Sequence, residues 1–308
     1  MYNETLPGRQ LSCWLAAALI PTVIQRTAGS PWLALLISAT VCLLAVCLRW
    51  YCPVHHGGKV IALLQWVLIV LVLGTVCKTS VSSWPRGGHK AVGVFLLALA
   101  AWSAWKGPSA AARVGCVLFW FVLVLYLVLL GAGLKQVQLR WLLPVKGDAD
   151  ALGCVLLLTP AAAAIHLNKR ERCNPRLLLI GLFALAASLV TSGVLSPELA
   201  GKYELPFYEM IRSLTVKGSA RRFEAVLSAA MTVGWFALMS LYLTVAGKWA
   251  QTLNSGWGRG GIIAAALASV GLLLWELHMG GLFLLIAATV FWVLLPILAQ
   301  GIDKIKKS

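Results

Sequence analysis

The chain has 308 residues, of which 60% are hydrophobic and 12% charged, against roughly 25% charged in an ordinary soluble domain. Its mean hydropathy is +0.86; a soluble protein of this length has no interior able to hide that much apolar surface, so a polytopic membrane protein is expected. The net charge of +16, from 26 Lys and Arg against 10 Asp and Glu, points to the lipid bilayer and not to nucleic acid. The basic residues fall in the gaps between apolar runs, where headgroup anchoring and topology control place them.

Apolar runs and their interruptions predict ten membrane-spanning helices. The first, residues 11–24, is about 14 residues or roughly 21 Å of helix, too short for a bilayer core of about 30 Å, and is broken by Pro21. The second (32–48) ends at Arg49 and leads to Pro53, His55 and His56. The third (60–76) is followed by a polar loop with Lys78 and Lys90, the fourth (91–105) by Lys106-Gly107-Pro108, and the fifth spans 114–134. A polar stretch through Arg140, Pro144, Lys146, Asp148 and Asp150 separates two halves. The sixth (151–167) is short and broken by Pro160, and the most basic loop follows it. The seventh (177–195), eighth (223–245), ninth (262–277) and tenth (282–298) complete the count, with a turn at Gly280-Gly281 between the last two.

Ten spans divide as five and five, residues 1–138 and 139–308, in one transmembrane domain. An odd number per half makes the second half enter the membrane from the opposite side, so the repeats are inverted. Short, Pro-interrupted segments at matching positions of two such halves are the best sequence pointer to a binding site. That singles out Pro21 and Thr22 in the first half, and Thr159 and Pro160 in the second. A kink in a membrane helix is also met without any ligand, because neighbouring groups can satisfy the freed carbonyls. Fourteen of the 26 basic residues fall on the side of the termini, Arg9, Lys59, Lys106, Arg113, Lys248 and Arg259 among them. The termini are therefore expected in the cytoplasm.

The long connection before the eighth span carries Phe207, Met210, Ile211 and Leu214 at i, i+3, i+4 and i+7. This is an amphipathic helix, about 206–217, lying at the interface or capping the bundle. Gly218 stops it, Ser219 is placed to cap the next helix, and Arg221 can pair with Glu224 one turn on.

Chemistry-bearing clusters are scarce. Only Glu276 lies inside a predicted span, near its end, and His278 two residues on does not share its helix face. His55-His56 lacks Cys or acidic partners at ligand spacing, so no metal site is expected. The eight cysteines form no CxxC pair and read as buried thiols. No GxSxG, Walker loop, HExxH or carboxylate pair is present, so neither an enzyme nor a cofactor is expected. Of the 14 tryptophans, Trp32, Trp50, Trp84, Trp105, Trp141 and Trp249 sit at span ends, where an amphipathic ring prefers the headgroups. Trp66, Trp120, Trp235 and Trp275 lie within spans, where packing or lipid contact is commoner than pocket lining.

Several stretches together resemble the B subunit of GerA-type spore germinant receptors, a branch of the amino acid–polyamine–organocation (APC) superfamily with a LeuT-like fold. They are Gly8-Arg9-Gln10-Leu11, Ile20-Pro21, Ala28-Gly29 with Trp32-Leu33, Leu142-Leu143-Pro144-Val145 with Gly147, and Leu157-Leu158-Thr159-Pro160. The most specific is PFYEMIRSLTVKGSARRFEAV at 206–226, with Pro206, Arg212, Gly218, Arg222 and Glu224. Family members are usually longer, and here both discontinuous helices are short at the place where the family is expected to hold a ligand.

The resemblance implies an all-helical, LeuT-like 5+5 inverted repeat with shortened first and sixth helices. It implies a membrane subunit of a spore germinant receptor sensing a small nutrient such as an amino acid. Its partners would be an A-type subunit and a C-type lipoprotein subunit in a bacterial cell membrane or spore inner membrane. Two other readings stay open: an amino-acid permease of the same superfamily, and a degenerate assembly subunit that binds no ligand.

Overall fold

A computed structural model describes residues 6–27, 59–82, 90–138, 141, 167, 178–200, 202–203, 205–214, 220–275 and 290. The described residues are almost entirely helical, without strands. In chain order they form α1 (Gly8–Thr27), α2 (Lys59–Ser82), α3 (Lys90–Trp105), α4 (Pro108–Leu134), α5 (Leu178–Leu195), α6 (Pro197–Ala200), α7 (Pro206–Ser213), α8 (Ala220–Leu253) and α9 (Gly258–Leu274). The second predicted span, and all of the sixth and tenth apart from Leu167 and Val290, lie outside the described residues, and with them the count of ten and the relation between the halves.

Four of these helices are long and apolar enough to cross a membrane: Lys59–Val81, Pro108–Leu134, Leu178–Leu195 and Phe223–Leu253. α3 and α9 are apolar but shorter. The outward surface supports a hydrocarbon surrounding. On α4, Val117, Trp120, Phe121, Val124, Leu127 and Val128 are exposed, while Phe119, Val122, Tyr126 and Leu129 are buried. A helix with apolar residues on both faces sits between a protein core and an apolar solvent.

Polar residues extend several helices past their apolar runs. α1 has 20 residues, not 14; at 1.5 Å per residue it is about 30 Å long, the thickness of a bilayer core. The short first span is thus corrected: Gly8-Arg9-Gln10 and Gln25-Arg26-Thr27 continue the helix where hydropathy stops. α4 starts six residues before its predicted start because Gly107, at φ 110°, turns the chain and Pro108 takes the first helical position. Proline suits that place, where its missing N–H has no partner to lose. α8 runs for 34 residues, about 51 Å. It carries Lys248, expected in a loop, into the helix, where only 8% of the residue is exposed.

Among the described helices α1 is the innermost. Every residue from Leu11 to Ile24 is buried, and the helix packs against α4, α5, α7 and α8. α8 in turn packs against α1, α2, α3, α4, α7 and α9, so α1 and α8 together are the core of the bundle. Glycine lets them approach their neighbours closely. A Cβ on Gly115 of α4 would lie 2.5 Å from the Trp14 ring, and one on Gly234 of α8 would lie 2.6 Å from Cγ of Pro21. Small residues at crossings are the usual way for membrane helices to gain packing contact where the lipid is as apolar as the protein.

The amphipathic segment caps the bundle. Phe207, Tyr208, Met210, Ile211 and Leu214 are all buried, and Phe207 stacks on Tyr126 of α4 with ring centroids 5.8 Å apart. The helix itself is Pro206–Ser213, and the predicted stop at Gly218 lies outside the described residues.

Candidate functional site

Of the residues singled out in the sequence, Pro21 and Thr22 lie in α1, Pro206 and Arg212 in α7, and Arg222 and Glu224 in the first turns of α8. Gly29, Trp32, Pro144, Gly147, Thr159, Pro160 and Gly218 lie outside the described residues, as do Glu276, His278, His55, His56 and His166.

α1 is helical through Pro21. Proline has no N–H to donate to the carbonyl four residues back, here that of Ala17. The next residue is tied to its own helix: the Thr22 hydroxyl is 3.1 Å from the carbonyls of both Ala18 and Leu19. Two turns earlier, the Trp14 indole N–H donates to the Ala237 carbonyl of α8 at 3.1 Å. The Ser240 hydroxyl donates to the same oxygen at 2.9 Å. Trp14 is completely buried, so this bond satisfies a group that would otherwise be costly to bury. It also fixes α1 against α8 seven residues from Pro21.

α5 presents an unusual polar face. Elsewhere in the bundle the hydroxyls of Thr75, Thr79, Ser80, Thr232, Ser240, Thr244 and Ser269 donate to a carbonyl three or four residues back, at 2.7–2.9 Å. Ser188, Thr191 and Ser192 do not; each is buried, and its hydroxyl oxygen has no hydrogen-bond partner. Their spacing, i, i+3 and i+4, sets them on one side of the helix, together with Ala184 and Gly181 one and two turns earlier. Leaving a buried hydroxyl unmatched costs about 1–3 kcal/mol, so a trio of them marks a place suited to a polar guest. The motif SLVTS at 188–192 was open to reading in the sequence, but hydroxyl residues are common in membrane helices and only the missing partners distinguish these.

A third constellation stands at the end of the bundle where α7 meets α8. The Tyr208 hydroxyl donates to Oε2 of Glu224 at 3.2 Å. Nε of Arg212 lies 3.9 Å from Oε1 of the same carboxylate, and a second guanidinium nitrogen lies 3.8 Å from Glu209. Glu224 therefore pairs with Arg212 across the connection. Burial, and then the neighbouring Glu224 carboxylate, raise the Tyr208 phenol above its ordinary value, while Arg212 acts in the opposite sense. The structure thus brings together Arg212 and Glu224, twelve residues apart in sequence, and adds Tyr208.

Among the described residues, no group of three His, Cys, Asp or Glu side chains is arranged to hold a metal ion. The tryptophans divide by surroundings. Trp120 and Trp275 are exposed on the outside of the bundle and Trp235 is buried, while the Trp66 indole donates to the Gly261 carbonyl at 3.3 Å. No protein-family model matches the chain, and no match is found among curated proteins.

Proposed function

We propose that this protein is a non-enzymatic, multi-pass membrane subunit of a spore germinant receptor that senses a small nutrient such as an amino acid. The observation that carries the sensing role is the trio of buried, unmatched hydroxyls on α5, a helix packed directly on the proline-bearing α1. The germinant-receptor identity rests on the resemblance of residues 206–226, whose Arg212 and Glu224 meet at the α7–α8 junction. In this reading α1 opens at Pro21, where the Ala17 carbonyl lacks its helical N–H, and Thr22, Thr159 and Pro160 join the site. A-type and C-type lipoprotein subunits of the receptor read the resulting shift of one group of helices against another. A ligand produces such a shift only if it binds one arrangement more tightly than the other.

Thermal unfolding of the detergent-purified protein against a panel of amino acids and other small nutrients tests the reading. A true ligand at 100 times its Kd stabilises by about 2.7 kcal/mol. The triple variant Ser188→Ala, Thr191→Val, Ser192→Ala is expected to stay folded and lose the response. If no compound stabilises the wild type, the assembly-subunit reading replaces the sensor. The unmatched α5 hydroxyls also suit a permease. Saturable uptake of a labelled amino acid by proteoliposomes would establish transport and overturn the sensor reading.

A further inference from the structure

The described acids all lie at one end of the bundle, and its contacts show which residues share an end. The start of α1 meets the start of α4, with Sγ of Cys116 3.8 Å from the Gln10 carbonyl. The start of α9 meets the end of α3 through Arg259 and Trp105, and meets α2 near its start through Trp66 and Gly261. This end therefore gathers Arg9, Lys59, Lys106, Arg113 and Arg259, all exposed. The described acids, Glu198, Glu209 and Glu224, belong to α6, α7 and the second turn of α8, at the opposite end, where Lys78, Lys90, Lys135, Lys202 and Arg212 accompany them.

Within the basic end, the last turn of α3 is a built feature. Lys106 Nζ lies over the Trp102 ring, 4.9 Å from its centroid, and the Arg259 guanidinium lies over the Trp105 ring at 5.6 Å. Trp102 and Trp105 are one turn apart, so each of two neighbouring indoles carries a cation, with Trp257 exposed on the residue before α9. Away from that turn toward the middle of the bundle, Phe95, Leu99, Ile263 and Leu267 form an exposed apolar surface on α3 and α9. Cations above an apolar wall, with indoles at the junction, match a lipid that carries a negative headgroup over two acyl chains.

We infer that the α3–α9 corner is a binding site for an anionic phospholipid, its phosphate held between Lys106 and Arg259 and its chains lying along Phe95, Leu99, Ile263 and Leu267. The indoles hold the cations in place before the lipid arrives, which reduces the ordering that binding requires. No acid among the described residues of this end competes for the cations, and a zwitterionic headgroup brings a positive charge of its own toward them. The site therefore selects phosphatidylglycerol-type headgroups over phosphatidylcholine.

The full chain in detergent, titrated with phosphatidylglycerol, phosphatidylcholine or inorganic phosphate, tests this by native mass spectrometry and thermal unfolding. Phosphatidylglycerol is expected to be retained on the order of ten-fold better than phosphatidylcholine, and Lys106→Gln with Arg259→Gln to remove that preference. Lys135→Gln, at the opposite end, is expected to keep it. Lys106→Arg is expected to keep it as well, and shows that loss in the double variant is loss of charge, not of fold. Equal retention of the two lipids by the wild type overturns the site. So does an unchanged preference in a folded double variant, or stabilisation by inorganic phosphate equal to that by the lipid.

Discussion

Single side chains divide sharply here by how deeply they are buried. Arg212 approaches Glu209 and Glu224 at 3.8 and 3.9 Å with its own side chain 63% exposed, and pairs of that kind contribute about 0–1 kcal/mol. Arg212→Gln is accordingly expected to shift thermal stability by less than about 1 kcal/mol. Tyr208 is buried and donates to the same carboxylate. Tyr208→Phe is expected to cost about 1–2 kcal/mol, the contribution of a hydrogen bond to a charged and partly exposed group. Its signature is in pH. The folded protein holds the phenol protonated above its ordinary value of 10.0, so the folded chain binds more protons there than the unfolded one. That stability is full below about pH 10 and is lost as pH rises through the folded value. Unfolding followed from pH 8 to 11 is expected to show a steeper decline in the wild type than in Tyr208→Phe; parallel curves would refute the assignment.

Helix packing turns on a few positions without side chains. Gly115 receives the Trp14 ring, whereas Gly131 on the same helix has nothing within 4 Å of where a Cβ would stand. Gly115→Ala is expected to destabilise by about 1–3 kcal/mol through overpacking. Gly131→Ala is expected to be neutral or to stabilise by up to about 1 kcal/mol through helix propensity. Equal effects in denaturation measurements would show that the α1–α4 approach is looser than described. Such approaches were not legible beforehand, because Gly115 and Gly131 sit in the same apolar run and nothing local distinguishes them. Hydropathy did place α3 and α5 to within a residue at each end, since both are bounded by abrupt changes of polarity. It failed at α1 and at the end of α8, where Arg9, Arg26 and Lys248 continue helices that transfer energies would end. A long basic side chain such as that of the exposed Arg9 can reach from a helix toward the headgroups, so a basic residue does not by itself require a loop. The capping role of residues 206–214 was half legible: the i, i+3, i+4, i+7 spacing showed an apolar face, and only the Phe207–Tyr126 stack shows what it covers.

At the scale of the molecule, the charges of the described residues suggest a direction across the membrane. The end that carries Arg9, Lys59, Lys106, Arg113 and Arg259 is expected to face the cytoplasm, where basic residues are retained. A cysteine introduced at Gly107 should react with a membrane-impermeant maleimide only after permeabilisation. One introduced at Gln136, at the other end of α4, should react in intact cells above the background of the native chain. The reverse pattern would invert the topology. The unmatched hydroxyls of α5 remained hidden in the sequence for a reason of scale, since a missing partner is a property of the assembled bundle and not of any local pattern.

α8 has a mechanical consequence. At about 51 Å it exceeds a hydrocarbon core of about 30 Å by more than the usual tilts of 0–40° absorb, so it carries a stiff rod out of the membrane. The Tyr208–Glu224–Arg212 cluster holds one end of that rod, and Lys248 and Trp249 ride near the other. A rotation of only 5° about one end sweeps the far end by about 4 Å, roughly four-fifths of a helical turn. In such a rotation, a small displacement where Trp14 and Pro21 lean on the middle of the lever would reach its far end about doubled.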